Sequence, residues 1–507
     1  MQTLDELSDF AHQQTSDSKK NVNLPKEAFL YQRQGPWPQP SPRNPKGEAP
    51  AVLRLPRKEK EEWKKKIGRR YVKNMWTYWP KALHYAYKHK GLHKISDEDF
   101  NHYLGEGVFS KFLIKGLSDQ KRAIFNDFLP VDHNEREYYI IDFSLMSFTK
   151  PFEGIYATGT IVVFEKVNNA LEAKLIYVDQ FEGDKKIVQP TDADLWSIAK
   201  VYAMQGAAYK LILSEHALLH FPFDCINAIS KSSLPINTIL LQLLLPHFEH
   251  TLVLNKVVLN STASPVENDQ KFPYSGFLGD GDGQRSLVAC AYSGIEGNDS
   301  YNGYHYSKEI EKFDSPYYTF LLEYYNVIKK FVTEVVNVIS DEELLIIKEW
   351  AGHINQWLPT FTSSDEILLK DNLIQEITMI IWDVSVAHSA DHHSFAQVPS
   401  YLVPLRVRVN PKEVHNNEID WENGMTIKDM FRYRMEREMF FKPTNVSTLY
   451  NTKYNFEKTN YSESTKKYLK DLNDIFIREL SEVETRLKHK NVPVFIPLKE
   501  IARSIQY

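Results

Sequence analysis

Two histidine pairs in this sequence share one spacing. His216-Ala-Leu-Leu-His220 lies in YKLILSEHALLHFPFDCINAI, and His388-Ser-Ala-Asp-His392 closes the run NLIQEITMIIWDVSVAHSADHH. Residues four apart on an α-helix stand on one face, so each pair projects both rings the same way. Each pair sits in an apolar segment of helical spacing, with Leu373, Ile377, Ile380, Ile381, Val384 and Ala387 leading into the second. Two such helices packed side by side would bring four imidazoles around one point. Neutral imidazole is the commonest metal ligand and suits iron, zinc, copper and nickel. One HxxxH carries little, because a packed histidine on an apolar face is the commoner case. Two in buried-looking helices make a metal a serious reading. A di-iron bundle is disfavoured, because neither segment offers Glu-x-x-His.

The elements that must position these residues come from a chain of 507 residues, enough for two or three domains or one large one. Its 42% hydrophobic content is ample for a core, and a net charge of −5 argues against nucleic acid as the main partner. Cys225 and Cys290 are too few for a disulfide scaffold or a cysteine zinc site and fit a reducing compartment. No leader opens the chain and no uncharged apolar run is long enough to span a membrane. A cytoplasmic monomer is the expectation.

Met1–Asn23 is polar, and 35–56 carries seven prolines, which reads as an extended polyproline-like arm. The expected division is this arm, residues 1–56, and a single domain, 57–507. Arg57–Trp79 is basic and amphipathic: either a solvated helix face or a site of attachment to an anionic membrane surface, and its part Arg57–Lys73 is expected to lie outside the catalytic centre. Residues 137–180 are strand-like. From Asp194 on, the pattern is helical, with Leu195–Ser230, Leu234–Leu259, Ser315–Ser340, Asp341–Leu358 and the amphipathic TKKYLKDLNDIFIRELSEVETRLKHK as helices. Gly276–Gly303 reads as a loop; its GDGDG lacks the rest of a calcium loop. The tail NVPVFIPLKEIARSIQY is too apolar to be free in solvent.

Over Tyr138–Tyr507 these motifs resemble the lipoxygenases, the non-haem iron dioxygenases. Trp196-Ser-Ile-Ala-Lys200 is similar to the family's W-x-x-A-K, and HALLHFPFDCINAI to its H-x4-H segment. LPINTILLQLLLPHFEHTLVLN, IIWDVSVAHSADHH and the tail IARSIQY follow in the family's order and spacing. The resemblance implies a mainly α fold, a lipoxygenase-like helical catalytic domain with long metal-bearing helices and a small β-rich element. The chain before Tyr138 is too short, and too rich in proline and basic residues, for the N-terminal β-barrel found in many members, so that domain is expected to be absent. It implies one iron, with manganese as the alternative ion, held by His216, His220, His388, His392 and the terminal carboxylate of Tyr507, with no catalytic residue beyond the metal centre. The implied reaction takes a hydrogen atom from a bis-allylic carbon of a polyunsaturated fatty-acyl chain and adds O2, giving a hydroperoxide.

The departures are specific. The first pair is HxxxH, one residue short of the family spacing, which suits a regular helical turn. The family's two glutamines fall on Ile212 and Phe395, and its outer histidine and arginine on Thr238 and Glu249, while His247 is kept. Asp391 is either an outer-shell acceptor for the site or a solvent-facing acid. His250 and His393 read as ordinary histidines. Two further functions stay open: an iron-dependent oxidase or peroxide-rearranging enzyme, and a non-catalytic lipid-binding relative.

Overall fold

The structure, a computed structural model, describes residues 30–34, 49–54, 57–130, 136–168, 170–180, 187–260, 276–301, 315–355, 358, 360–414, 419–441 and 446–507. Strands β1 (Leu30–Gln34) and β2 (Ala49–Arg54) pair antiparallel, and the backbone of β2 runs beside the helix that starts at His216. Ala49–Arg54 is therefore a strand, not the end of a polyproline arm: backbone ladder bonds are available there that an isolated arm lacks. The expectations for Met1–Asn23 and for 35–48 lie outside the described residues.

Helix α1 (Arg57–Trp63) continues through a π-helical stretch, Lys64–Gly68, into α2 (Arg69–Lys88). Helices α3 (Asp97–Gly105) and α4 (Asp119–Phe125) start at Ser96 and Ser118, whose hydroxyls accept from backbone N–H groups of the first turn. Between and after them, β3 (Ile114–Lys115), β4 (Tyr138–Asp142), β5 (Thr160–Val167), β6 (Ala170–Val178) and β7 (Ile187–Val188) form an antiparallel sheet in sequence order. The turn between β5 and β6 is tight; Asn168 takes φ 50°, which asparagine tolerates better than most residues.

The centre of the molecule is two long composite helices. The first is α5 (Asp194–Tyr209), a π-helical stretch Lys210–Glu215, and α6 (His216–Ser233). Nearly all of α5 is buried, as its apolar residues on every face require. Then come α7 (Ile239–Leu244), α8 (Thr251–Asn260), α9 (Gly281–Ser293), α10 (Pro316–Asn337) and α11 (Asp341–Asn355). The second composite helix is α12 (Lys370–Trp382), a π-helical stretch Asp383–Ala387, and α13 (His388–Gln397). Helices α14 (Ile427–Phe440) and α15 (Glu463–His489) precede the tail.

Two sequence expectations fail here. Leu234–Leu259 is not one helix: Pro246 lacks the N–H that an uninterrupted helix needs, and a 3-10 turn, Leu245–Phe248, separates α7 from α8. Gly276–Gly303 is not a loop throughout: α9 occupies its middle. Asp280 opens that helix, and Leu287, Val288 and Cys290 are buried, so burial overrides the local weakness of glycine. Gly279 and Gly283 are there for close approach; a Cβ on either would stand within 3 Å of the Lys150 backbone.

Candidate metal centre

The π-helical stretches Lys210–Glu215 and Asp383–Ala387 each end where a histidine pair begins, so both pairs lie on regular α-helix. The shortened first pair fits that turn, and the widened turn comes just before it. The side chains of His216, His220, His388 and His392 are all buried, and one ring nitrogen from each lies within 4.8 Å of the others. Ring centroids are 4.3 Å apart for His216–His392, 4.5 Å for His388–His392 and 4.8 Å for His220–His388.

The surroundings set the tautomers. The Leu211 carbonyl accepts from His216 Nδ1 at 3.1 Å, so the lone pair is on Nε2. Asn255 does the same for His220. Its Nδ2 donates to Asp224 Oδ1 at 2.7 Å and to the His220 carbonyl at 3.0 Å. That turns Oδ1 toward His220 Nδ1, 2.8 Å away. His220 Nε2 then faces His388 Nε2 at 2.9 Å, and two lone pairs at that distance repel unless a cation or a proton lies between them. His216 Nε2 and His392 Nε2 have no protein hydrogen-bond partner. Burial holds His216, His388 and His392 well below the usual histidine pKa, with neighbouring histidines adding to it, and brings His220 to about 4. Four neutral, inward-facing imidazoles with orphaned nitrogens fit a divalent metal.

No protein-family model matches the chain, and no curated protein matches it. Solved structures do. The chain superposes on a lipoxygenase crystallised anaerobically with arachidonate (TM-score 0.68, 15% identity, 99% of this chain and 81% of that one). It superposes equally on the coral 8R-lipoxygenase (0.68, 14%, 98% and 81%). The manganese lipoxygenase of Gaeumannomyces graminis gives 0.68 at 12% identity, with 98% of both chains covered. This is the lipoxygenase fold. It spans the whole chain, and the four-histidine cluster resembles the iron site of lipoxygenases.

Within the lipoxygenase fold this chain surrounds the cluster in its own way. Ile212, where the resemblance expects glutamine, is a wall of the cavity beside the histidines. Phe395, at the other such position, is fully buried, with its ring centroid 5.0 Å from that of Phe441. The cavity measures ≈70 Å³ and is closed in part by Phe440, Phe441 and Tyr507. Asp391 is neither a solvent-facing acid nor in reach of a histidine ring. It accepts from Lys111 Nζ at 2.8 Å and from the Tyr317 hydroxyl at 2.6 Å. Lys111 also lies 3.5 Å from Glu215, the residue before His216. Burial works against the Lys111 ammonium, but Asp391 and Glu215 outweigh it and hold its pKa above the usual range. One lysine thus ties the two histidine-bearing helices together from behind. His250 and His393 approach Glu249 and Glu500 at 3.4 and 3.3 Å and stay outside the cluster.

The tail ends against the cluster. Tyr507 is 3% exposed, with its ring centroid 4.8 Å from that of His392 and 5.2 Å from that of His388. His247 meets the Arg503 carbonyl at 2.7 Å, and Ala502 N donates to Ser389 Oγ at 3.0 Å. Glu249 accepts from Arg503 at 2.9 Å, and Thr238 caps α7. Gln506 exchanges hydrogen bonds with the Ser447 backbone. The basic stretch Arg57–Lys73 supplies no residue of the histidine cluster, but one of its side chains reaches the tail. Arg70 is buried, donates to the Gln506 carbonyl at 2.8 Å and lies over the Tyr507 ring. Sequence reading missed Arg70, Lys111 and Asn255; only Asn255 carried a signal, as the last residue of the LPINTILLQLLLPHFEHTLVLN match.

Proposed function

We propose that this protein is a non-haem metal dioxygenase of the lipoxygenase type, acting on a polyunsaturated fatty-acyl chain. The observation that carries the reading is the convergence of four neutral imidazoles beside an apolar cavity in this fold. His216, His220, His388 and His392 would hold iron or manganese, with the terminal carboxylate of Tyr507 completing the set. The bound ion supplies a one-electron couple for removing a hydrogen atom from a bis-allylic carbon. The chain's own residues do the rest. Leu211 and Asn255 hold the tautomers. Ile212, Val258, Val288 and Phe441 keep water from the reacting carbon, where O2 adds and a hydroperoxide results. The structure crystallised with arachidonate supports the substrate class, and the manganese enzyme supports either ion.

A second reading keeps the metal and changes the chemistry to oxidation or peroxide rearrangement; Ile212 and Phe395 in place of glutamine favour it. Two measurements on purified protein separate the readings. Stoichiometric iron or manganese together with O2 uptake on linoleate or arachidonate is the expected result. Metal without O2 uptake on either acid sinks the dioxygenase reading in favour of the second. Absence of both leaves a lipid-binding relative.

A further inference from the structure

Helix α2 has two faces. The inner one buries Arg70, Asn74, Ala82 and Ala86 and packs on α14, where Met75 meets Met435 and Met439. The outer one leaves large apolar side chains in water: Val72 is 58% exposed, Trp76 75% and Trp79 48%. Trp76 is the most exposed large apolar side chain among the described residues. The spacing from 72 to 76 to 79 keeps all three on one stripe. Arg69 and Lys73 flank it and are exposed, as are Lys64 and Lys65 one turn earlier. No carboxylate of the described residues pairs with these four cations. From Trp63 to Ile95 the chain has ten lysines and arginines and no aspartate or glutamate, in a protein whose net charge is −5.

A solvated helix face has no use for a tryptophan as exposed as Trp76; Trp79 packs one edge on Phe431, with ring centroids 6.1 Å apart, and leaves the rest of its ring in water. A partner surface that is apolar just below a layer of negative charge uses every one of these groups. Tryptophan favours the boundary between headgroup and acyl chain, and cations beside it meet anionic headgroups. We propose that the outer face of α2 docks on an anionic lipid surface, with Trp76 and Trp79 entering the interface and Arg69 and Lys73 on the headgroups. Lys66 takes no part, because it is held by Ser447 and Glu249. The docked helix lies close to the metal centre: Tyr71, on α2, packs at a tilt against Phe440, a wall of the metal cavity, with ring centroids 5.3 Å apart. The docking does not depend on which reaction the metal centre performs.

The test uses the full chain and vesicles of phosphatidylcholine alone or mixed equally with phosphatidylglycerol. Binding to the mixed vesicles, falling steeply with salt, and little binding to the neutral ones is the expected result. Trp76→Ala should lower that affinity about tenfold, and Arg69→Gln with Lys73→Gln about thirtyfold at low salt. Both changes are at the surface, and an unchanged thermal midpoint checks that the fold is intact. Equal binding of wild type and Trp76→Ala overturns the proposal, as does equal affinity for the two vesicle types. So does a wild type whose fluorescence acrylamide quenches no more than that of Trp76→Ala without vesicles. In that case the chain's own N-terminal residues, a second copy or a protein partner covers the face.

Discussion

At the scale of single residues, the centre rests on groups that orient histidines as much as on the histidines themselves. Asn255 bridges His220 and Asp224, and burial pushes the Asp224 carboxyl well above its ordinary pKa. Removing such a partner costs about 10–100-fold in metal affinity in other sites. Asn255→Leu should do the same here, read by competition with a chelator; unchanged affinity would show that His220 needs no such support. Phe441 acts on the other side. The cavity of ≈70 Å³ is far below the roughly 300–1,000 Å³ of a ligand pocket, so entry of the proposed fatty-acyl chain would have to displace a wall. Phe441→Ala should cost about 3 kcal/mol of stability, visible in denaturant melts, and lower KM for a dienoic acid. A KM that stays put would place the moving wall elsewhere.

At the scale of elements, the π-helical stretches Lys210–Glu215 and Asp383–Ala387 place each histidine pair at the start of a regular helix. Inserting alanine between Leu218 and Leu219 turns His220 about 100° away from His216. Metal content by elemental analysis should fall, whereas full occupancy would remove His220 from the ligand set. The same burial makes the metal-free protein acid-sensitive. The unfolded chain protonates its histidines near pH 6.5, while in the folded state His220 holds out to about 4 and burial also holds the other three well below their ordinary value. Between those values the unfolded state binds more protons, so folding stability drops as pH falls from 6.5. His220 alone accounts for about 3 kcal/mol by pH 4. Urea melts of metal-free protein at pH 7 and pH 5 should show the drop; equal midpoints would contradict neutral burial.

At the scale of the molecule, the tail brings distant parts together at the histidine cluster. Arg70, near the start of the described helices, holds the carbonyl of Gln506. Residues added after Tyr507 should displace the carboxylate, push polar groups into an apolar channel, and lower both metal content and thermal midpoint. Arg70→Met should lower metal content too, by loosening the tail from the N-terminal side. An extended protein with full metal and activity would rule out the proposed role of Tyr507.

What was legible in the sequence is what local periodicity encodes. HxxxH puts two rings on one face of any α-helix, and the apolar repeat around His388 and His392 says that face is buried. The long helices, the strands within 137–180 and the buried tail follow from the same kind of pattern, and the motif order over Tyr138–Tyr507 carried the likeness to lipoxygenases. Residues whose role depends on a partner far along the chain left no such trace. Asn255 acts on a histidine 35 residues away, Lys111 on a carboxylate 280 away and Arg70 on a carbonyl 436 away. Helix α9 makes the same point for an element: its glycines and aspartates read as a loop, and packing against Lys150 and the core makes it a helix. Periodicity reports which way a side chain points from its own backbone; only the packed chain decides what it meets there.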